Sequence, residues 1–242
     1  MPGGANDYDR LAEAYTESNE TDIQNAYYER PAMLALAGDV TGRRILDAGC
    51  GSGPLLAALR GRGAVVSGFD LSAGMLALAR RRVPGADLRV ADLAEPLPYA
   101  DAAFDDVIAS LVLHYLGDWG PALAELHRVL KPGGRLLISI DHPFAMHMIH
   151  RAEGRRTNYF ETYNYTETWD HTGEPVEMSF WNRPLHAMTD AFTAAGFTIT
   201  TISEPLPVPE ARELFPEDYR ALTTSPSFLF FVLSAALTAP PH

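Results

Sequence analysis

The 242-residue sequence predicts an α/β fold: a mostly parallel sheet with helices on both faces. Three observations predict it. R-R-I-L-D-A-G-C-G-S-G-P at 43–54 reads as a strand, a glycine turn and the start of a helix. Strand–helix units then repeat up to residue 140, as parallel pairing requires. After that the alternation stops, and 141–184 is an aromatic-rich stretch too long for a plain connection, which predicts an inserted lid.

Taken in order, Tyr8, Leu11, Ala12 and Tyr15 fall at helical spacing and predict a helix over 6–17, with Asn6 or Asp7 as its cap. Residues 18–23 are polar and read as loop. A second helix is expected at 25–37, with Pro31 in its first turn or at a kink. Strands follow at 44–47, 64–70, 87–91, 104–110 and 135–140. Helices lie between them at 54–60, 72–83 and 119–130. Lys131-Pro132-Gly133-Gly134 reads as a turn. Beyond the lid, 185–195 is a helix closed by Gly196, 197–203 a strand, 211–222 a short acidic helix and 227–237 a buried final strand. The A-P-P-H tail reads as disordered. The organisation expected is a helical cap at 1–42, a cofactor-binding core at 43–141, a substrate lid at 142–184 and completion of the sheet by 185–242.

Composition narrows the function. A formal charge of −12 argues against a nucleic-acid backbone as partner, because phosphate binding needs a basic stripe. No apolar run reaches the ~18 residues of a membrane span, and the first ten residues lack the basic and apolar regions of a secretory signal. Cys50 is the only cysteine, so no intrachain disulfide can form, in keeping with a reducing cytoplasm.

The glycine turn sits where open α/β sheets bind ligands, after a strand's carboxyl end. Two ligand classes use such a turn. A dinucleotide fingerprint wants a third glycine where this chain has Pro54. Asp47, two residues before Gly49, suits a cationic or amine-bearing ligand, or turn hydrogen bonds, better than a pyrophosphate. Asp70 ends the second strand, where a carboxylate accepts from ribose hydroxyls in either class. Asp92 follows the third strand and reads either as an acceptor for an adenine amino group, with Leu93 and Leu71 flanking the ring, or as a turn cap.

With L-D-A-G-C-G-S-G, D-L-S-A-G-M-L, A-D-L, F-D-D-V-I-A-S-L-V-L-H-Y-L and R-V-L-K-P-G-G-R-L-L-I-S in order, residues 43–140 resemble the class I S-adenosylmethionine-dependent methyltransferases, in the small-molecule branch that includes quinone-biosynthesis-type enzymes. The resemblance implies a seven-stranded Rossmann-like methyltransferase fold whose last strand is antiparallel and lies beside strand five. It implies S-adenosylmethionine as cofactor, with Asp47, Gly49 and Gly51 at its methionine end, Asp70 on the ribose, Met75, Asp92 and Leu93 around the adenine, and Ser110 near the methionine portion. Tyr15 and Arg30 would close over the cofactor carboxylate, with core packing and a surface ion pair as their alternatives.

Methyl transfer asks the protein chiefly to position a nucleophile and exclude water. If the acceptor must lose a proton, histidine is the natural base. His114 after strand four and His142 after strand five are the candidates, each with a structural role as its alternative. His142, His147 and His150 lack a metal-site pattern, so no metal is expected. The aromatic stretch 159–181 is the candidate acceptor wall or the lid's own core. The reading is a small-molecule methyltransferase of the cytoplasm, with no nucleic-acid or membrane partner. A nicotinamide-dependent oxidoreductase, a non-catalytic cofactor-binding protein and a macromolecular methyltransferase are the alternatives weighed.

Overall fold

The computed structural model describes residues 6–170 and 175–236. Helices α1 (Tyr8–Thr21) and α2 (Arg30–Ala37) precede the sheet. Then come β1 (Arg44–Ala48), α3 (Pro54–Gly61), β2 (Val65–Asp70), α4 (Ala73–Arg82), β3 (Asp87–Val90), β4 (Phe104–Ser110), α5 (Gly120–Val129) and β5 (Leu130–Asp141). The stretch after β5 supplies α6 (Pro143–Ala152), β6 (Tyr163–Trp169) and β7 (Val176–Asn182). The sheet is completed by α7 (Leu185–Ala194), β8 (Phe197–Ser203), α8 (Ala211–Leu214), α9 (Pro216–Leu222) and β9 (Phe228–Ala235).

Seven strands form one sheet in the order β3-β2-β1-β4-β5-β9-β8. The first five pair in parallel, and β9 runs antiparallel between β5 and β8. This is the expected Rossmann-like methyltransferase fold. Because side chains alternate across a strand, the sheet fills two cores. Leu46, Val107, Ile138 and Phe231 pack against α5 and α7 through Leu123, Leu126 and Phe192. Their neighbours Ile45, Ile108, Leu137 and Phe230 pack on the other face against Met33 of α2, Leu56 of α3 and Leu76 of α4. The buried Asp106 takes bidentate bonds from Arg135 (2.7 and 2.9 Å) and from Arg43 (2.5 and 2.7 Å), fastening β4 to β5 and to the residue before β1.

Several local expectations are corrected. Residues 18–21 continue α1 instead of forming a loop, because Asp22 N–H still bonds Ser18 O at 2.9 Å. The second helix is not uniform: Asn25–Glu29 is a π-helical turn, and Arg30 N–H reaches back to Asn25 O. Pro31 explains the change. It has no N–H for Tyr27 O, and Val208 N–H takes that carbonyl instead at 2.8 Å. Residues 131–134 lie within β5, as an irregularity where the register with β4 jumps from Phe104↔Leu130 to Asp106↔Arg135. The stretch 211–222 breaks into α8 and α9 at Pro216. The expected tail at 239–242 and the last residue of the expected final strand lie outside the described residues.

The inserted stretch is α6 plus a β6–β7 hairpin. Tyr165 and Phe180 are opposed across it, as are Trp169 and Val176. Its inner face buries Tyr165, Val176, Met178 and Phe180 against Leu11 of α1. Asn6, at φ 68°, clasps the hairpin edge: its N–H bonds Glu177 O (3.0 Å), its side-chain N–H bonds Ser179 O (3.2 Å), and its Oδ1 accepts from Ser179 N (2.7 Å). The N-terminal helices and the hairpin therefore form one roof.

Candidate functional site

The roof and the carboxyl edge of the sheet enclose a cavity of about 1740 Å³. Typical single-ligand pockets hold roughly 300–1,000 Å³, so there is room for two small molecules. Tyr15, Arg30, Asp47, Gly49, Gly51, Asp70, Leu71, Met75, Asp92, Leu93, Ser110, His114 and His142 all border this cavity. Residues from seven separate segments of the sequence are thus brought together.

The order of strands sets the order of groups. β2 and β4 flank β1, and the chain reverses its winding there, which opens a crevice at the strand ends. The glycine turn lies over it. Gly49 N–H and Cys50 N–H both bond Phe69 O at 2.9 Å, which ties the turn to β2. Gly49 has φ 73°, and a Cβ there would stand 2.5 Å from Val112 Cγ2, so only glycine fits. Gly51, at φ 54°, would point a Cβ into open space. Its N–H bonds Asp70 Oδ2 at 2.8 Å, while Asp70 Oδ1 takes Ser72 N–H at 2.9 Å. Each carboxylate oxygen keeps a second lone pair, enough for two ligand hydroxyls.

Asp47 is 2% exposed, and its Oδ1 has no hydrogen-bond partner. Burial, then the nearby charges of Glu29 and Asp70, raise its pKa to about 8. A buried carboxylate beside two others favours a cation. Glu29, from the π-helical turn, is 4% exposed, and its Oε1 accepts from Ser110 Oγ (2.7 Å) and Ser139 Oγ (2.6 Å). Burial raises its pKa, and the two hydroxyls partly offset that. Sequence reasoning missed Glu29, because nothing local distinguishes a glutamate within a helical pattern; the signal would have been an acidic residue on its apolar face. Leu111 follows Ser110 at φ 47°, a strained non-glycine position of the kind that gathers at functional sites, and its N–H is held by Ser139 O and Oγ at 3.1 Å each.

Asp9 was also missed. Its Oδ1 accepts from Ser72 Oγ (2.5 Å) and Gly74 N (2.8 Å), docking α1 onto the start of α4 at the cavity wall. Arg30 donates to Asn19 O (2.9 Å) and Asn19 Oδ1 (2.6 Å), which holds its guanidinium at the rim. The cavity border carries carboxylates at Glu29, Asp47, Asp70, Asp92, Asp141 and Glu167, but among the described residues one guanidinium, Arg30, and no lysine. Asp92 Oδ1 accepts from Ala94 N at 2.9 Å, which makes the turn bond, and the residue borders the cavity as well. Leu93 and Met75 are buried, while Leu71 is 67% exposed at the rim.

Tyr15 stacks on Trp169 of the hairpin, 5.9 Å between centroids with planes 7° apart, and burial pushes its phenol up to about 12. Tyr8 and Tyr115 share a hydroxyl hydrogen bond of 2.5 Å. The aromatic segment is therefore both hairpin core and cavity wall. The two histidines differ. His142 caps α6: its Nδ1 accepts from Ala145 N (3.3 Å), which puts the ring proton on Nε2, 2.9 Å from Glu204 Oε1. Both of its nitrogens are engaged. His114 is 6% exposed, and neither ring nitrogen has a hydrogen-bond partner; Nδ1 lies 2.9 Å from Asp141 Oδ2 but off the line a hydrogen bond needs. His147 and His150 bond Thr157 and Tyr163 within the inserted stretch. Among the described residues no three potential ligands gather as a metal site would, and no helix is long and apolar enough to cross a membrane.

Comparison with known proteins agrees with this geometry. Residues 46–138 match the family described as a methyltransferase domain. A malonyl-[acyl-carrier protein] O-methyltransferase of Serratia marcescens is 41% identical over 107 residues, 44% of this chain and 42% of the relative. A demethylmenaquinone methyltransferase of Clavibacter sepedonicus is 41% identical over 136 residues, 54% of this chain and 55% of the relative. This chain spans about half the length of these curated relatives. The crystal structure of an S-adenosylmethionine-dependent methyltransferase from Mesorhizobium loti superposes with a TM-score of 0.67 at 27% identity, covering 84% of this chain and 96% of that one.

Proposed function

We propose, from the premise that this chain carries a class I S-adenosylmethionine-dependent methyltransferase domain, that it is an enzyme that methylates a small-molecule acceptor. One observation supports this reading above the others: a buried Asp47 whose Oδ1 has no partner, beside Glu29 and Asp70, bordering a cavity with room for two molecules. That charge pattern suits a ligand with a sulfonium and an ammonium group. A pyrophosphate would meet carboxylates, with a single arginine to balance it, which weighs against a nicotinamide cofactor.

The residues present fit the cofactor. Asp47, with the open face of Gly51, would hold the amino end of the methionine portion, and Arg30 its carboxylate. Asp70 would accept from the ribose hydroxyls. Asp92, Leu93 and Met75 would enclose the adenine, with Leu71 over its edge. When bound, S-adenosylmethionine supplies a methyl group already activated by the sulfonium charge. The chain's own work is to align the acceptor and keep water out, and oriented binding of that kind is worth up to ~7–11 kcal/mol. Trp169 on Tyr15, and Tyr8 on Tyr115, hold the roof over the cavity, which supports reading the 142–184 stretch as a lid. His114 is the better placed of the two histidines to take a proton, since His142 is committed to its cap and to Glu204.

The two relatives are named for different acceptors, and the methyltransferase-domain match at 46–138 holds most of the residues assigned above to the cofactor. The acceptor would be chosen by Asp141, by the hairpin and by α6, which lie outside residues 46–138. Calorimetric titration tests the proposal. S-adenosylhomocysteine is expected to bind in the micromolar range and NAD not to bind. Failure of S-adenosylhomocysteine to bind at millimolar concentration would overturn the reading.

A further inference from the structure

Ser110 ends β4, and its register partner on β5 is Ser139. Two residues on, Asp141 ends β5 and borders the cavity. His114 is beside it, more than nine-tenths buried, with both nitrogens unbonded. The His114 ring stands edge-on to Tyr115 (4.5 Å) and to Phe180 of the hairpin (5.2 Å). Glu167 adds a second carboxylate from the hairpin, oriented by Trp169 Nε1 at 3.2 Å. Arg30 is the one guanidinium bordering the cavity among the described residues, and Asn19 O (2.9 Å) and Asn19 Oδ1 (2.6 Å) hold it.

We infer that the acceptor is an amine, received by Asp141 with His114 as the adjoining proton acceptor, and that acceptors bearing a carboxylate there are rejected. The inference rests on the methyltransferase reading above and names its substrate class. Amines reach a protein at neutral pH as ammonium ions, which have no lone pair to donate. Asp141 attracts that ion and the aromatic walls favour it further. One N–H proton passes to the His114–Asp141 pair, and the electrons of that N–H bond stay on nitrogen as its lone pair. The nitrogen then forms the new N–C bond as the methyl carbon leaves sulfur, with the C–S electrons staying on sulfur. The product leaves as an N-methylammonium ion, and the pair returns its proton to water. A carboxylate acceptor would instead be buried against Asp141 and Glu167, while Arg30, the one guanidinium at the cavity border among the described residues, is already bonded to Asn19, which leaves a repulsion in a low-dielectric cavity.

Three probes share one aromatic body: phenethylamine, 3-phenylpropanoate and 2-phenylethanol. Their binding to the full chain loaded with S-adenosylhomocysteine is read by tryptophan fluorescence and calorimetry. Phenethylamine is expected to bind at least ~30-fold more tightly than 3-phenylpropanoate, with the alcohol between them. In Asp141→Asn that ratio is expected to fall below ~3-fold while S-adenosylhomocysteine affinity stays within ~3-fold of the original. Equal binding of amine and carboxylate, tighter binding of the alcohol than of the amine, or no binding of phenethylamine up to ~10 mM would each overturn the inference. S-adenosylhomocysteine affinity, measured in the same titrations, reports separately on the methyltransferase reading. If Asp141→Asn does not fold, the ratio in the unaltered protein decides alone.

Discussion

Replacing Asp47 by asparagine alters one buried charge and should move stability and ligand affinity in opposite directions. Burial beside Glu29 and Asp70 raises the Asp47 pKa to about 8, whereas in an unfolded chain it is about 3.9. A carboxyl whose folded pKa is raised contributes its full stability below the unfolded value and loses it as pH climbs through the folded one. At ~1.4 kcal/mol per pH unit, the ligand-free fold gives up as much as ~4 kcal/mol between about pH 4 and pH 7. The Asp47→Asn variant removes that loss but buries an amide with few partners, so a net gain of ~2 kcal/mol at about pH 7–8 is expected, or ~4–8 °C in Tm for a chain of this size. The gain should shrink toward zero at about pH 5. S-adenosylhomocysteine should bind the variant ~10–100-fold more weakly, through loss of a charge-assisted bond worth ~1.5–3 kcal/mol. Thermal melts from about pH 5 to 8.5, with and without S-adenosylhomocysteine, read both effects. A variant less stable than the parent at about pH 8 without ligand, or one with unchanged affinity, would refute the electrostatic reasoning.

Gly49→Ala should abolish S-adenosylhomocysteine binding, because its Cβ meets Val112 Cγ2 at 2.5 Å; adding Val112→Ala should restore part of it, the strain of positive φ remaining, as calorimetry would show. Asp106→Ala should cost ~3–5 kcal/mol in urea unfolding by leaving Arg43 and Arg135 unpaired. Burial alone would raise the Asp106 pKa, but the two guanidinia outweigh it and hold it below the usual carboxylate value. Its contribution is therefore present above pH ~4 and lost as pH falls through that depressed pKa, so an Asp106→Asn protein should lose less stability than the parent as pH falls below about 4. Asn6→Ala should loosen the roof without unfolding the sheet, seen as faster amide hydrogen exchange in 163–169 and 176–182 and little change in β1 and β4.

The sheet was legible because β1, β2, β4 and β5 each carry a short apolar run and β3 (D-L-R-V) alternates, with glycine, proline or acidic punctuation between them, and because Pro54 and Asp47 mark the turn. The residues expected to hold the cofactor that border the cavity from β1, β2 and β3 were legible for the same reason, since they sit at strand ends. What escaped reading depends on contacts far apart in sequence. Glu29 matters because Ser110 and Ser139 converge on it from two strands, 81 and 110 residues away. The π-helical turn needed Val208 to take the carbonyl that Pro31 leaves open. Asn6 reads as a helix cap; the structure gives that bond to Asp7 and uses Asn6 as a clasp, 173 residues from Ser179. The two histidines look equivalent in sequence, one after each strand. Only the fold separates His142, spent on a cap and Glu204, from His114, buried and unbonded beside Asp141.

A crystal structure of the chain with S-adenosylhomocysteine bound measures the central claim most directly. The expected result places the amino group at Asp47, the ribose hydroxyls on Asp70 and the sulfur facing the His114–Asp141 side beneath Tyr115. A ligand seated elsewhere, or one whose sulfur faces away from β4 and β5, would contradict it.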